Sequence, residues 1–549
     1  MEPLPTSVDC CVIGAGSAGL TALKNLREEG FTSAIALDER PVSGGLWAFT
    51  EDPTKTSALR STVANLSKQF SCYTDWPFAK DVPDHPSSSD IHEYLDSYAD
   101  HFGLRPHIKC GVEVRRILRN ADGTRWNIFW KFVEGEEAEE KLLEADKVII
   151  ANGKWNQPSV PKLEGIEAFR GTIVHSQAFK NASEYKGKRV LVVGFSQSGG
   201  DTTSELVGVA SEIYLSHKYG GIIIRRKNKK GRPTDHVRTR RGATFFSYLE
   251  SIIPNAADIL VSTRLAMYFI QRSAAGGVYP SSWGLNPKMP ISRGAGVVMN
   301  EYLFDNLHSG KVNILPAIAR IHEPDDPSSK GNAVELIDGT VIENIDAIIF
   351  ATGYVNTPYS SLLPQNDPTA QDPDIAAEWS KVAGRDGLPL FRLFWHMFDL
   401  EHPTSLAFVG QVSAGAAAFS MFDVQSIAVA QVFAGKYTLP PKDEMRLLTR
   451  KQNEYTVMKR RGGPILPGLV PLRGLLDFLD DAAGTGLREH VSYIGKGALK
   501  SWWWSFKNWR LSRVIMGGVD TPFLWRLFDG RRKKWEGAEE AIWEANGRL

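Results

Sequence analysis

Two stretches of the chain repeat one order of apolar and polar positions. In the first, the apolar run Asp9 to Ile13 leads into Gly14-Ala15-Gly16-Ser17-Ala18-Gly19. Leu20, Leu23 and Leu26 then recur at helical spacing, Gly30 closes the helix, and Ser33 to Leu37 reads as a second strand with Asp38 at its end. In the second, Lys188 to Val193 reads as a strand, Gly194 opens a turn, Thr202 to Val209 is helical, and Glu212 to Leu215 is again a strand. Each stretch is therefore a strand, a glycine turn, a helix and a strand, a unit that binds a nucleotide at its turn.

The remaining pattern fills in around these units. Pro83 to Pro86 is a loop, Ile91 to Phe102 a helix, Val112 to Leu118 and Trp126 to Val133 strands, Glu134 to Glu140 a solvated acidic loop, and Lys147 to Ala151 a buried strand. Asp346 to Ala351 is a last strand that runs into Thr352-Gly353-Tyr354. Phe245 to Gly277 is richer in apolar residues than a plain connector needs and is expected to cap a site. The fold class predicted is α/β, with two dinucleotide-binding (Rossmann-like) domains, the second inserted into the first. Residues 1–180 and 331–480 make the first domain, 181–330 the second with an inserted helical segment, and 481–549 a C-terminal aromatic and basic extension.

The glycine spacing gains its meaning from its place between a strand and a helix. Gly14 permits the tight turn, Gly16 lets backbone approach a pyrophosphate at the helix N-terminus, and Gly19 lets helix pack on strand. Asp38, 24 residues after Gly14, is placed to accept hydrogen bonds from ribose hydroxyls, with Glu39 as the alternative if the register is one residue off. In the second unit, Gly194-Phe195-Ser196-Gln197-Ser198-Gly199, Ser196 stands where the middle glycine would be. Its second strand ends in Leu215-Ser216-His217-Lys218, without a carboxylate. A hydroxyl at Ser216 and an ammonium at Lys218 suit a 2′-phosphate, so this unit is expected to prefer NADPH over NADH.

Composition narrows the classes. With 64 basic and 63 acidic residues the chain carries a formal charge of +1, so no global field argues for nucleic acid. The nine Lys and Arg between Arg225 and Arg241 lack interleaved aromatics and read as a solvated loop beside an anionic cofactor. The four cysteines, Cys10, Cys11, Cys72 and Cys110, form no C-x-x-C pair and, with the histidines, no metal-ligand spacing. That argues against a disulfide reductase, which shares paired nucleotide folds, and for packed thiols in a reducing compartment. No secretory signal, peroxisomal address or run of eighteen apolar residues is evident, so a cytoplasmic protein is expected.

Several further motifs occur in a fixed order. Phe169-Arg170-Gly171-Thr172-Ile173-Val174-His175-Ser176-Gln177-Ala178-Phe179 is similar to the F-x-G-x-x-x-H-x-x-x-aromatic fingerprint of class B flavin-dependent monooxygenases. Gly44-Gly45-Leu46-Trp47 resembles that family's G-G-x-W loop, Asn65 falls where the family has an asparagine near the flavin, and Phe350-Ala351-Thr352-Gly353-Tyr354 matches its late F-A-T-G-Y motif. Gly231-x-Pro233-x-Asp235 and Gly284-Leu285-x-Pro287 resemble further family motifs, and the resemblance covers about Asp9 to Pro441. Within the class, Phe179-Lys180 sets the chain closer to flavin-containing monooxygenases than to Baeyer–Villiger enzymes, although the family often has tyrosine at Phe179.

The resemblance implies FAD on the first domain and NADPH on the second. It implies a flavin hydroperoxide that gives one oxygen atom of O2 to a nucleophilic nitrogen or sulfur of a small substrate, the cofactors supplying the hard chemistry. Asn65 would be the catalytic residue, hydrogen-bonding near the oxygen adduct. Gly45, Leu46, Trp47, Thr352 and Gly353 would join the cofactor-binding residues, His175 would be a structural hinge between domains, and Arg170 a surface residue. The alternatives are Baeyer–Villiger oxygenation of a ketone and a non-catalytic FAD-binding protein. Beyond the resemblance, Trp502-Trp503-Trp504, Phe506 and Trp509 interleave with Lys500, Lys507, Arg510 and Arg513, followed by Trp525, Trp535 and Trp543. A helix covering the core is one reading of this tail and peripheral membrane contact the other.

Overall fold

The computed structural model describes residues 4–134, 140–253, 263–285, 296–322, 332–355, 358–370, 390–413, 416–460, 468–492 and 497–547. All but the two ends of the acidic loop expected at 134–140, residues 254–262 of the expected cap, and Pro287 lie outside the described residues.

The first unit is β1 (Ser7–Ile13), the glycine turn, α1 (Ser17–Glu28) and β2 (Ile35–Asp38). A helix, α2 (Ser88–His101), starts at a capping box between Ser87 and Asp90. It leads to β3 (Ile108–Cys110), the hairpin β4 (Val112–Arg119) and β5 (Trp126–Phe132), and β6 (Lys141–Ile150). Val12 of β1 pairs in parallel with Ala36 of β2 on one side and Ile149 of β6 on the other. Such a strand has both faces covered, which is why β1 and the end of β6 read as continuous apolar runs. Cys10 and Cys11 are fully buried there, and burial pushes both thiols up.

The second unit contributes β7 (Thr172–His175), β8 (Arg189–Val193), α3 (Gln197–Leu206), β9 (Glu212–Ser216), β10 (Asn313–Leu315) and β11 (Ala347–Phe350). They form one parallel sheet in the order β10-β9-β8-β11-β7. The expected segment 181–330 is thus flanked on each side by a strand of the same sheet, because β7 and β11 pair with each other and β11 with β8. Helix α4 (Arg240–Ile252) belongs to the long insertion between β9 and β10.

The chain then returns to the first sheet through β12 (Leu393–Phe394), β13 (Phe398–Asp399) and β14 (Leu406–Phe408), giving the order β12-β13-β14-β6-β1-β2-β3 with β4 and β5 beside β6. The apolar helix α5 (Ala418–Phe433) packs across α1. Its Asp423 is fully buried, and its carboxylate accepts hydrogen bonds from Thr21 Oγ1 (2.6 Å), Asn25 Nδ2 (2.9 Å), and the amide (2.9 Å) and Oγ1 (2.5 Å) of Thr74. Four donors on one carboxylate satisfy it without water.

The C-terminal segment divides in two. Trp525, Trp535 and Trp543 pack against the core of the first domain, whereas Trp502, Trp503, Phe506 and Trp509 are 65, 61, 77 and 59% exposed. Buried charges fasten the packed part: Arg526 Nη1 lies 2.7 Å from Asp75, which also takes Lys24 Nζ at 2.5 Å, and Arg532 reaches Glu28, Glu29 and Asn25. Burial draws the Lys24 ammonium down to about 8 against the pull of Asp75. Removing one partner of such a cluster leaves buried charge short of its counter-charge. Arg526→Ala is expected to destabilise the protein by about 3 kcal/mol, and the exposed Arg510→Ala by less than about 0.5 kcal/mol. Equal melting temperatures for the two variants would refute the assignment.

Candidate active site and cofactor cradles

Both glycine turns are built alike. Gly14, at φ +106°, donates to Leu37 O (2.7 Å), and Ala151 donates to Ile13 O (2.8 Å). A Cβ on Gly14 would sit 2.5 Å from Ala151 O, and one on Gly19 would sit 1.8 Å from Gly14 O. In the second unit Gly194, at φ +123°, donates to Ser216 O (2.9 Å), and Ala351 to Val193 O (2.8 Å). The matching Cβ distances are 2.3 Å from Ala351 O for Gly194 and 2.0 Å from Gly194 O for Gly199. Neither α1 nor α3 has a side-chain cap or an acid in its first turn. The orphan N–H groups and positive helix end are therefore left for an anion, as a bound pyrophosphate requires.

The first cradle is closed by the G-G-L-W loop. Gly44 donates to Ala15 O (2.9 Å), and Gly45 Cα would lie only 3.4 Å from a Cβ on Gly16. Leu46 and Trp47 are half-buried, and the Trp47 ring packs edge-on at 6.4 Å from Phe419. Ser17 is half-buried, and its carbonyl accepts the Tyr73 hydroxyl. The Asp38 carboxylate faces inward and accepts from the Ala15 amide (2.6 Å) and the Arg40 amide (2.9 Å), while burial raises its pKa. Asp38 thus also braces the turn itself, with one amide on each carboxylate oxygen. Glu39 lies exposed at the same corner, 2.6 Å from Lys55. Arg40, which the sequence reading passed over, donates to Gly45 O (2.8 Å) and Thr56 O (2.5 Å) and fixes the loop from below. Its only signal was its place directly after the acidic strand end.

In the second cradle Ser196 and Ser198 are exposed beside the start of α3. Two of the expected residues also bond within the protein. The Gln197 amide bonds to Asp201 and to both backbone groups of Met299, and the Ser216 hydroxyl, 1% exposed, donates to Pro316 O (2.7 Å). Adjacent strands consume these polar groups, which the linear pattern does not show. Lys218 remains exposed, its Nζ 5.3 Å from the Tyr219 ring centre. At the end of β11, the Thr352 hydroxyl donates to Ser159 O, and Gly353 takes φ +81°.

The fingerprint ties the units together. A Cβ on Gly171 would meet Asp346 O at 2.3 Å and the Phe169 ring at 2.6 Å, and Phe179 is 2% exposed against Tyr185. His175 Nε2 pairs with Gly353 O (2.9 Å) and Nδ1 accepts from the Gln177 amide (3.1 Å), so the ring is neutral, and burial lowers its pKa. Gln177 Nε2 donates to Thr56 Oγ1 (2.8 Å), and Lys180 Nζ to Lys55 O (2.8 Å) and Ser57 Oγ (3.1 Å). Arg170 is exposed.

Asn65 is exposed on a loop that the second domain grips. Arg226 donates through Nε to Ala64 O (2.9 Å) and through Nη2 to Val63 O (2.9 Å) and Asn65 Oδ1 (3.4 Å), and Asp235 accepts from the Ser67 amide (2.6 Å). Arg226 is only 7% exposed, so the basic stretch is not wholly a solvated loop as expected. Its burial is compensated by three carbonyl-type acceptors, two main-chain and one amide, together with the Asp201 and Glu301 charges.

A chain with paired parallel sheets, a pyrophosphate cradle on each and a fingerprint strand between them is of the class B flavin-dependent monooxygenase type. It belongs to the flavin-binding monooxygenase-like family, whose model matches residues 8–549 and so takes in the C-terminal segment that the motif resemblance did not reach. It is 34% identical over 547 residues to monooxygenase aurF of Gibberella zeae, covering 98% of this chain and 97% of that one. It is 28% identical to dimethylaniline monooxygenase [N-oxide-forming] 4 of Oryctolagus cuniculus, covering 97% and 86%. The solved S-allyl-L-cysteine S-oxygenase of Allium sativum shares the fold at 18% identity, with a TM-score of 0.59 and 99% of both chains covered. The protein is a flavin-dependent monooxygenase with FAD and NADPH as cofactors.

Gly16→Val is expected to fold but to purify without flavin, because only the face opposite Gly45 is open to its methyl groups. Gly19→Ala is expected to fail to fold, since its Cβ meets backbone at 1.8 Å. Flavin absorbance per mole of purified protein checks both; full FAD content in Gly16→Val would put the pyrophosphate elsewhere.

Proposed function

We propose that this enzyme transfers one oxygen atom of O2 to a nucleophilic nitrogen or sulfur of a small organic molecule. FAD would lie across Gly14 to Gly19 under the Gly44–Trp47 loop, and NADPH across Gly194 to Gly199. The NADPH-binding domain would run from Thr172 to Phe350, wider at both ends than 181–330. The bound flavin supplies reduction by NADPH and activation of O2. The observation that carries the reading is the Asn65 loop: Arg226 donates to its Oδ1 (3.4 Å), which leaves the Nδ2 amide as the donor. Asn65 would hydrogen-bond near the activated oxygen, and Glu39 rather than Asp38 would meet the FAD ribose. Lys218 would meet the NADPH 2′-phosphate. Support for soft-atom oxygenation comes from the N-oxide-forming relative. Of the fingerprint pair Phe179-Lys180, read as closer to flavin-containing monooxygenases than to ketone oxygenases, Phe179 is buried in the second domain's core and Lys180 reaches the 55–57 segment of the first.

A second observation favours a peripheral contact. The helices Ala498–Lys507 and Trp509–Gly517 expose Leu499, Trp502, Trp503, Phe506 and Trp509 beside Lys500, Lys507, Arg510 and Arg513. No helix among the described residues is long and apolar enough to cross a membrane. Aromatic rings and cations together suit the surface of an anionic bilayer. Co-sedimentation with phosphatidylserine vesicles is expected, and its persistence after Trp502→Ser and Trp503→Ser together would refute the contact.

Lys218→Ala is expected to lower the preference for NADPH over NADH about tenfold or more, since a charge-assisted phosphate contact is worth about 1.5–3 kcal/mol. Equal use of both coenzymes by the native enzyme would overturn the assignment.

Asn65→Ala is expected to keep FAD and to accept reducing equivalents from NADPH at a near-normal rate. It should release several-fold more hydrogen peroxide per NADPH consumed, because a lost hydrogen bond is worth about 0.5–1.5 kcal/mol and more where its partner is buried. Unchanged coupling would leave Asn65 with a structural role only.

A further inference from the structure

The insertion, the Asn65 loop and the C-terminal segment line a half-open pocket of about 160 Å³. An apolar cavity of about 150 Å³ holds benzene, so this one has room for a single aromatic ring. Phe70, Met421, Val424 and Leu476 give it an apolar floor. Its position ties it to the flavin side of the molecule. Phe70 lies five residues after Asn65, and the wall residues Ala417 and Ser420 flank Phe419, whose ring packs on Trp47 of the flavin loop.

Charged groups of both signs line its walls. Arg238, Arg240, Arg473 and Arg488 line it against Asp477 and Asp520. Arg488 is held by Asp480 and Asp481. Arg240 Nη1 is 3.9 Å from Asp520 and Arg473 Nε 3.9 Å from Asp477, both beyond hydrogen-bond range, and the Arg473 guanidinium lies 5.1 Å over the Tyr248 ring. The Arg240 Nε–H is buried without an acceptor. A buried donor left unmet is costly and marks a place where an acceptor is missing. Helix α5 begins in the same wall at Ala417, with no side-chain cap, so its positive end adds to the field.

We propose that this cavity is the substrate seat and that it takes a single-ring organic anion, anchored by Arg240 and Arg473, while excluding ammonium ions. The inference rests on the monooxygenase reading above and sharpens it. A basic amine arrives at neutral pH as a cation and offers no acceptor to the unmet Arg240 Nε–H. The oxygen acceptor is then a sulfur or a non-basic nitrogen on a molecule that carries its acid group elsewhere.

Titration calorimetry of the FAD-loaded enzyme, with NADP+ saturating the second cradle, tests this with benzoate and benzylammonium. In the wild type benzoate is expected to bind at least tenfold more tightly. Arg240→Gln and Arg473→Gln are each expected to weaken benzoate at least fivefold at unchanged FAD content, with little change for benzylammonium. Equal affinities in the wild type, a comparison that needs no substitution, overturn the proposal, as does unchanged benzoate binding in both variants. NADPH-driven flavin reduction and O2 consumption are measured separately. If they persist while the anion preference fails, the seat is wrong and the monooxygenase reading stands; if they are absent, that reading fails on its own account.

Discussion

The whole arrangement depends on one kind of contact, main chain pressed on main chain at the two glycine turns. Each turn is held between the first residues of its own helix and the end of a third parallel strand, at distances that leave no room for a Cβ. The strand order around each turn follows from this contact, as does the direction in which each helix aims its free N–H groups. A side chain at Gly14, Gly19, Gly194 or Gly199 would part the strands before it touched any cofactor. The turns are thus structural necessities first, and cofactor cradles because of what that structure leaves uncovered.

What makes the two cradles one enzyme is a second layer of contacts between loops. The fingerprint strand β7 lies at the edge of the second sheet, yet His175, Gln177 and Lys180 reach Gly353, Thr56 and the 55–57 segment of the first domain. From the other side, Arg226 and Asp235 reach residues 63–67. The loop that carries Asn65 is consequently held from both sides, by the second domain and by residues 84–88 of its own. A movement of the second domain would be felt at Asn65 through a guanidinium and a carboxylate with little slack.

Buried charge does similar work at the far end of the chain. Asp75, Glu28 and Glu29 belong to the first domain; Arg526 comes 451 residues after Asp75 and Arg532 504 residues after Glu28. Desolvating these groups is costly unless they meet one another, so the pairing specifies where the C-terminal segment docks more than it adds stability. With that part fixed against the core, the neighbouring helices Ala498–Lys507 and Trp509–Gly517 are left on the surface with their tryptophans outward.

The sequence by itself determined the two strand–turn–helix–strand units, the glycines, the fingerprint and the family, because these rest on local periodicity and on positions where only one residue type fits. It could not say that Asp38 turns inward to the Ala15 amide while Glu39 stays out, since a shift of one residue along a strand reverses the face and the register shows only when β2 is paired with β1 and β3. Nor could it show that Gln197 and Ser216 are consumed by neighbouring strands, that Arg226 is buried against residues 63–65, or that four arginines distant in sequence meet in one cavity. Those facts depend on which segments become neighbours, and only the packed tertiary structure decides that.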